Sequence, residues 1–196
     1  MNLQVFDYGG RQTYQTQQPG THYRRQCRGR KLSFTSADGL RPTPDSVREK
    51  LFNWLGQDLT GKTVLDLFGG SGALGIEAAS RNAKRVLISD NNRQTVQTLQ
   101  KNSRELGLGQ VQIVCSDGIA YLKTVSEQFD VVFLDPPFAW QDWQILFDAL
   151  KPCLNPRAFV YLEAGTLPDI PDWLTEYREG KSGQSTFELR VFQVAE

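Results

Sequence analysis

Thr63-Val64-Leu65-Asp66-Leu67-Phe68-Gly69-Gly70-Ser71-Gly72-Ala73-Leu74-Gly75 is the stretch whose reading decides the fold. Thr63 to Phe68 reads as a buried strand, and the residues after Gly72 (Ala73, Leu74, Ile76, Ala78, Ala79) read as a helix. Downstream the alternation continues. Arg85 to Ser89 is a second strand, and Val96, Leu99, Ser103 and Leu106 mark a helix closed by Gly107. Val111 to Cys115 is a third strand, followed by a short helix from Gly118 to Val125. Phe129 to Leu134 is a fourth, followed by a helix near Trp140 to Leu150, and Ala158 to Leu162 is a fifth. Strands that are continuously apolar and joined by helices predict a parallel sheet covered on both faces. The end differs: Trp173 to Arg178 and Phe187 to Val194 flank Ser182-Gly183 and predict an antiparallel hairpin. The expected fold is α/β, doubly wound, with a mostly parallel seven-stranded Rossmann-like sheet and a C-terminal antiparallel hairpin.

Upstream, Thr43-Pro44-Asp45-Ser46 predicts a helix start with Thr43 as N-cap and Pro44 at the first helical position. Val47, Leu51, Trp54 and Leu55 then give that helix one apolar face. Residues 1–20 are rich in Gln, Gly and Thr without a period and are expected to be a flexible tail. The 196 residues therefore make one domain, 21–196, of which 21–42 is a basic N-terminal segment.

Composition excludes several classes. Apolar residues are 39% and charged residues 22%, an ordinary globular balance. No apolar run exceeds five residues, so no membrane span is expected, and the first residues lack the basic start and apolar core of a signal peptide. Cys27, Cys115 and Cys153 lie far apart with no CxxC, which argues against a disulfide framework or a thiolate zinc site and suits a reducing cytoplasm. His22 is the only histidine, which argues against Ser-His or Cys-His catalysis and against a multi-histidine metal site. No metal is expected. Net charge is zero, yet residues 1–50 carry nine Lys+Arg against four Asp+Glu, and five of the eight residues from Arg24 to Lys31 are basic. A basic arm on a mildly acidic body suits a polyanionic partner, although a solvated charge run reads the same way.

Ligands of open α/β sheets bind beyond the carboxyl ends of the strands. Those ends carry Asp66, Asp90, Asp117 and Asp135. Gly70-Ser71-Gly72-Ala73-Leu74-Gly75 matches Gly-x-Gly-x-x-Gly, with Asp90 twenty residues after Gly70 as in a dinucleotide site. Asp66, just before the loop, would repel a pyrophosphate. An adenosine ligand with an ammonium group and no phosphate fits better. S-adenosylmethionine is one: the glycines would allow close backbone approach, Asp90 would accept the ribose hydroxyls, and Asp117 the adenine amine. Asp135-Pro136-Pro137-Phe138 follows the fourth strand directly. Its carboxylate and the Pro136 carbonyl can accept the N–H groups of an exocyclic base amine and stabilise the positive charge that develops as it attacks a methyl donor. Two prolines stiffen the loop, and Phe138 offers a face on which a flipped base can stack. Trp140 and Trp143 are expected to pack in the core or a lid, and Cys115 and Cys153 in apolar surroundings.

The chain resembles the RsmD family of bacterial 16S ribosomal RNA guanine-N2 methyltransferases. The resemblance spans roughly residues 21–194 and rests on Arg28-Gly29-Arg30-Lys31-Leu32, on Leu40-Arg41-Pro42-Thr43 through Val47-Arg48-Glu49 to Leu51-Phe52-Asn53-Trp54-Leu55, on Leu65 to Gly75, and on Asp135 to Phe138. The last two motifs occur in many amino-methyltransferases; the first two are more particular to this family. Gly69-Gly70 replaces the family's usual Ala-Gly, and Asp90 stands where Glu is commoner. The resemblance implies S-adenosylmethionine as cofactor, held by Asp66, Phe68, Gly69, Gly70, Ser71, Gly72, Asp90, Asn91, Asp117, Gly118 and Asp135. It implies a catalytic set of Asp135, Pro136, Pro137 and Phe138. It further implies RNA contacts from Arg24, Arg25, Arg28, Arg30, Lys31, Arg41 and Thr43, with 16S ribosomal RNA in a small-subunit ribonucleoprotein as partner, and a cytoplasmic monomer. Adenine-N6 methylation of DNA or RNA uses the same tetrapeptide and stays open. A nucleic-acid-binding protein on a vestigial cofactor fold and an NAD-dependent oxidoreductase are less favoured, because the acids and glycine loop are intact and no proton donor stands out.

Overall fold

A computed structural model describes residues 43–194 together with the backbone of two short strands, Leu3–Asp7 (β1) and Lys31–Thr35 (β2), which pair antiparallel. β1 therefore falls within the segment expected to be a tail, where Leu3 and Val5 alternate with polar Gln4 over a run too short to show a period. The order that follows is α1 (Asp45–Trp54), β3 (Thr63–Asp66), α2 (Ala73–Ser80), β4 (Arg85–Asp90), α3 (Arg93–Leu106), β5 (Val111–Cys115), α4 (Gly118–Leu122), β6 (Phe129–Leu134), α5 (Trp143–Leu150), β7 (Leu154–Ala164), β8 (Leu174–Ser182) and β9 (Ser185–Phe192).

Seven strands form one sheet in the order β5-β4-β3-β6-β7-β9-β8. β3, β4, β5, β6 and β7 are parallel, and β9 is antiparallel to both β7 and β8. This is the doubly wound sheet and terminal hairpin that the apolar runs predict. Successive residues on a strand face opposite sides, and both sides are covered. Val64, Ile88, Val131, Phe133 and Tyr161 pack with α1, α2 and α3 on one face. Leu65, Leu87, Val132, Leu134 and Leu162 pack with α5 on the other. The chain order reverses between β3 and β6, so a crevice opens at the carboxyl ends of those strands.

Several boundaries differ from expectation for local reasons. β7 begins at Leu154, not Ala158: a register shift between Phe129 and Val131, with Arg157 at φ 63°, hides its polar first half from an apolar count. β8 runs on through the exposed Glu179 to Ser182, because an edge strand needs no apolar alternation to keep its ladder. α5 starts at Trp143; Trp140 lies in the preceding loop, its N–H on the Pro137 carbonyl. α1 also starts differently. Pro44, not Thr43, takes the N-cap backbone conformation (φ −56°, ψ 145°) without a side-chain cap, and its carbonyl accepts from the Val47 and Arg48 amides at 3.0 Å each. Thr43 is left for another partner. Among the described residues no helix is long and apolar enough to cross a membrane.

Candidate active site

The strand ends open into one cleft of about 430 Å³, within the usual range for small-molecule sites. Asp66, Phe68, Gly69, Gly70 and Ser71 from the β3 end line it, with Asp90 and Asn91 after β4, Asp117 and Gly118 after β5, and Asp135 to Phe138 after β6. All the residues assigned to cofactor or catalysis from sequence meet there except Gly72.

Gly72 has a different task. It is the N-cap of α2 at φ 76°, and a Cβ there would lie 2.4 Å from Leu99 Cδ2. A Cβ on Gly69 would likewise meet Ile88 Cγ2 at 2.5 Å, and one on Gly75 would meet Ile88 at 2.7 Å. At these three positions the bare Cα lets the loop press onto β4 and α3. With no side chain at the N-cap, Asp66 supplies the missing one: its Oδ2 accepts the Gly75 amide at 2.9 Å. Burial pushes the Asp66 carboxyl up to about 7 against the pull of that bond, and the negative Asp90 pushes the same way. Asp66 therefore floors the cleft and holds the turn.

Asp90 shapes the loop directly. Its Oδ2 accepts the Gly70 amide and its Oδ1 the Asn92 amide, both at 2.8 Å, while each oxygen keeps a second lone pair. Asp117 caps α4, with Oδ1 accepting the Ala120 amide at 2.9 Å. Asp135 is the most perturbed acid. Thr43 Oγ1 donates to its Oδ2 at 3.2 Å. Burial, then the negative charges of Glu163 and Asp66, push its carboxyl up to about 8, and the Thr43 bond pulls the other way. Pro136 is buried, whereas Pro137 and Phe138 are exposed, and the Phe138 side chain stands 61% open. Phe68 is backed edge-on by Trp140 (5.3 Å), which in turn meets Trp143 (5.2 Å), so both tryptophans pack as expected.

Thr43 belongs to this cleft and to Asp135, which corrects its assignment to capping. Arg24, Arg25, Arg28, Arg30 and Arg41 lie outside the described residues; Lys31 is the first residue of β2. Sequence reading missed Glu163 and the hairpin residues Ser182 and Ser185, which also line the cleft. Glu163 directly follows the apolar run Ala158 to Leu162 as Asp135 follows β6, so the strand-end rule applied to β7 would have found it.

No Lys or Arg lines the cleft among the described residues, while four Asp and one Glu do. Phosphate-bearing dinucleotides are poorly matched to such a lining, and an adenosine carrying positive charge is well matched. S-adenosylmethionine fits the donor set: Asp90 for ribose hydroxyls, Asp117 for an adenine amine, and the acidic floor for the cationic end.

The sequence profile of conserved hypothetical protein 95 matches residues 25–191. Ribosomal RNA small subunit methyltransferase D of Escherichia coli K12 is 37% identical over 169 residues, covering 84% of this chain and 85% of that one. The solved structure of the putative methyltransferase yhhF from Escherichia coli superimposes with a TM-score of 0.78 at 36% identity, covering 87% of this chain and 96% of that one. An RNA methyltransferase from Salinibacter ruber, in complex with S-adenosyl-L-homocysteine, shares the fold at a TM-score of 0.63 and 21% identity over 78% of this chain and 94% of its own. With the glycine loop, the strand-end acids and Asp135 to Phe138 gathered in one cleft, the chain belongs to the family of ribosomal RNA small subunit methyltransferase D.

Proposed function

We propose that this protein transfers a methyl group from S-adenosylmethionine to the exocyclic N2 amine of a guanine in 16S ribosomal RNA. The observation that carries the reading is the position of Asp135 to Phe138, which shares one acid-lined cleft with the glycine loop and with the Asp90 that holds its Gly70 amide. The family's named members support the RNA substrate.

When bound, S-adenosylmethionine supplies an electrophilic methyl: the N–C bond forms as the S–C bond breaks, and sulfur keeps the electron pair. The rest is the work of this chain's own residues. Asp90 and the Gly69–Ser71 backbone hold the adenosine. Phe138, exposed at the rim, stacks a flipped base, a contact on the scale of about 1–3 kcal/mol. The Asp135 carboxylate and the Pro136 carbonyl accept the two amine hydrogens, aiming the nitrogen lone pair at the methyl and stabilising its positive charge in the transition state. Thr43 fixes the Asp135 rotamer. The amine's surplus proton leaves by way of Asp135, whose raised affinity for protons suits that step. The basic segment 21–42 docks the RNA backbone, in a cytoplasmic small-subunit particle, with the protein acting as a monomer.

The test is tritiated-methyl transfer from S-adenosylmethionine to small ribosomal subunits, free ribosomal RNA and DNA, followed by nucleoside analysis. N2-methylguanosine in the small-subunit RNA is expected. N6-methyladenosine, or no transfer to any acceptor, overturns the reading.

A further inference from the structure

Glu163 is a buried carboxylate, 6% exposed, that makes no ion pair among the described residues. A buried carboxylate is costly to the fold unless its oxygens are hydrogen-bonded. Its position is set by the sheet. β6 and β7 are parallel neighbours in which Phe133 pairs with Tyr161 and Leu134 with Leu162. The next residues, Asp135 and Glu163, end side by side at the strand spacing of about 4.8 Å, and both line the cleft. The Tyr161 hydroxyl donates to Glu163 Oε2 at 2.7 Å. Tyr161 is itself clamped between the rings of Phe133 and Phe187, so the carboxylate is held from below. Oε1 has no hydrogen-bond partner among the described residues, and none of their buried side-chain oxygens is left unsatisfied, so Oε1 opens on the cleft.

In the ionised form that methyl transfer needs, Asp135 stands beside Glu163 as a second acceptor, and two adjacent acceptors ask for two adjacent donors. An ionised carboxylate only accepts. Beside the N6 amine of adenine and the N4 amine of cytosine, the Watson–Crick ring nitrogen is an acceptor, which a second carboxylate would repel. Beside the N2 amine of guanine stands N1–H, a donor. We infer that Glu163 is the specificity-determining residue of this site: its Oε1 accepts guanine N1–H while Asp135 accepts the N2 amine, with Tyr161 as the positioning residue that fixes the carboxylate. This deepens the guanine reading above and rests on it. A site whose buried polar group is left facing the wrong edge rejects that base strongly.

The test begins by mapping the nucleotide that the wild-type enzyme methylates in small-subunit RNA. Two RNAs are then assembled, carrying guanine or 2-aminopurine at that one position; 2-aminopurine keeps the N2 amine but presents an acceptor at N1. Wild type is expected to favour guanine by about 100-fold in kcat/KM, the scale of a hydrogen bond to a charged group. Glu163→Ala should cut kcat/KM on guanine by about 30- to 100-fold and leave 2-aminopurine within about threefold, so the ratio collapses. Tyr161→Phe should lower the same ratio by about tenfold, with S-adenosylmethionine affinity measured by calorimetry unchanged. General damage to the enzyme slows both substrates alike and leaves the ratio in place. A preserved ratio in Glu163→Ala overturns the inference, and if that variant fails to bind S-adenosylmethionine, a preserved ratio in Tyr161→Phe does so. Absence of N2-methylguanosine with wild type overturns the guanine reading instead.

Discussion

Thr43 and Asp135, 92 residues apart in the chain, are joined by a 3.2 Å hydrogen bond from the threonine hydroxyl to the carboxylate Oδ2. The bond ties the approach to α1 to the carboxyl end of β6, and it opposes the burial and the Glu163 and Asp66 charges that drive the Asp135 carboxyl up to about 8. The bond thus favours the ionised carboxylate, the form able to accept amine hydrogens.

A pH profile follows from these neighbours. Asp135 must be ionised to accept, so kcat/KM should rise with pH and level off above about 8. Glu163→Gln removes a negative charge and should move that limb to lower pH. Thr43→Val removes a donor to the ionised form, so the limb should move to higher pH and activity at pH 7 should drop roughly tenfold. Steady-state rates over about pH 5.5–9.5 check both directions. A limb that stays fixed in both variants would remove Asp135 from the acceptor role.

The same shift makes Asp135 a burden on stability. Its carboxyl titrates at 3.8 in an ordinary setting and at about 8 in the fold. Across that window the native state binds the extra proton, so stability falls as pH rises from about 4 to about 8 and is flat above. Asp66 acts in the same direction up to about 7. Asp135→Asn carries no such proton. Its Tm advantage over wild type should be small near pH 4, grow to on the order of ten degrees by about pH 8, and stop growing there. Thermal unfolding at several pH values reads this directly.

The sheet was legible because its central strands are buried on both faces, as in Val131-Val132-Phe133-Leu134, a pattern that exposed segments cannot imitate. The cleft was legible because Asp66, Asp90, Asp117 and Asp135 stand where parallel strands end, the place where ligands of open α/β sheets bind. Other features were opaque for physical reasons. Thr43 precedes Pro44 and so looks like a cap, and only the packing of α1 beside β6 shows where its hydroxyl goes. Gly72 fits a ligand-binding pattern, yet its need for a bare Cα comes from Leu99, a residue 27 positions later that no local pattern connects to it. Glu163 directly follows the apolar run Ala158 to Leu162 and is legible as a strand-end acid, but its neighbour Asp135 shows only in the pairing of β6 with β7.

Gly72→Ala tests the packing account of the loop. The substitution puts a Cβ at φ 76° and within 2.4 Å of Leu99 Cδ2. Left-handed backbone costs a non-glycine residue about 1–2 kcal/mol, and overpacking typically adds about 1–3. Denaturant unfolding should therefore show a loss of about 2–5 kcal/mol. Gly72→Ala in a Leu99→Ala background should recover the steric part and keep the backbone part. Equal losses in both backgrounds would show that Leu99 is not what the glycine accommodates.

Asp90 should separate cofactor binding from loop shape. Asp90→Ala removes the acceptor for the ribose and frees the Gly70 and Asn92 amides together. Calorimetry should show S-adenosylmethionine binding weakened by about 1.5–3 kcal/mol, the scale of hydrogen bonds to a charged group. Asp90→Asn keeps one carbonyl oxygen for one of the two amides and should lose less. Identical affinities in wild type and Asp90→Ala would assign the ribose to another residue.

The basic segment can be tested without regard to its shape. The cleft among the described residues is lined by acids and glycines, with no use for Arg28, Arg30 and Lys31. If each touches a phosphate, each contact releases counterions, and log affinity falls with log salt by roughly 0.7–0.9 per contact. Neutralising all three should then flatten the salt slope by about 2–3 units and raise KM for RNA. The affinity for S-adenosylmethionine should stay where it was, because the two ligands use different residues. A triple variant with the wild-type slope and the wild-type KM would make the segment a solvated surface, and the docking of RNA would have to be sought elsewhere, first at the Ser182–Ser185 hairpin end, which lines the same cleft as Phe138.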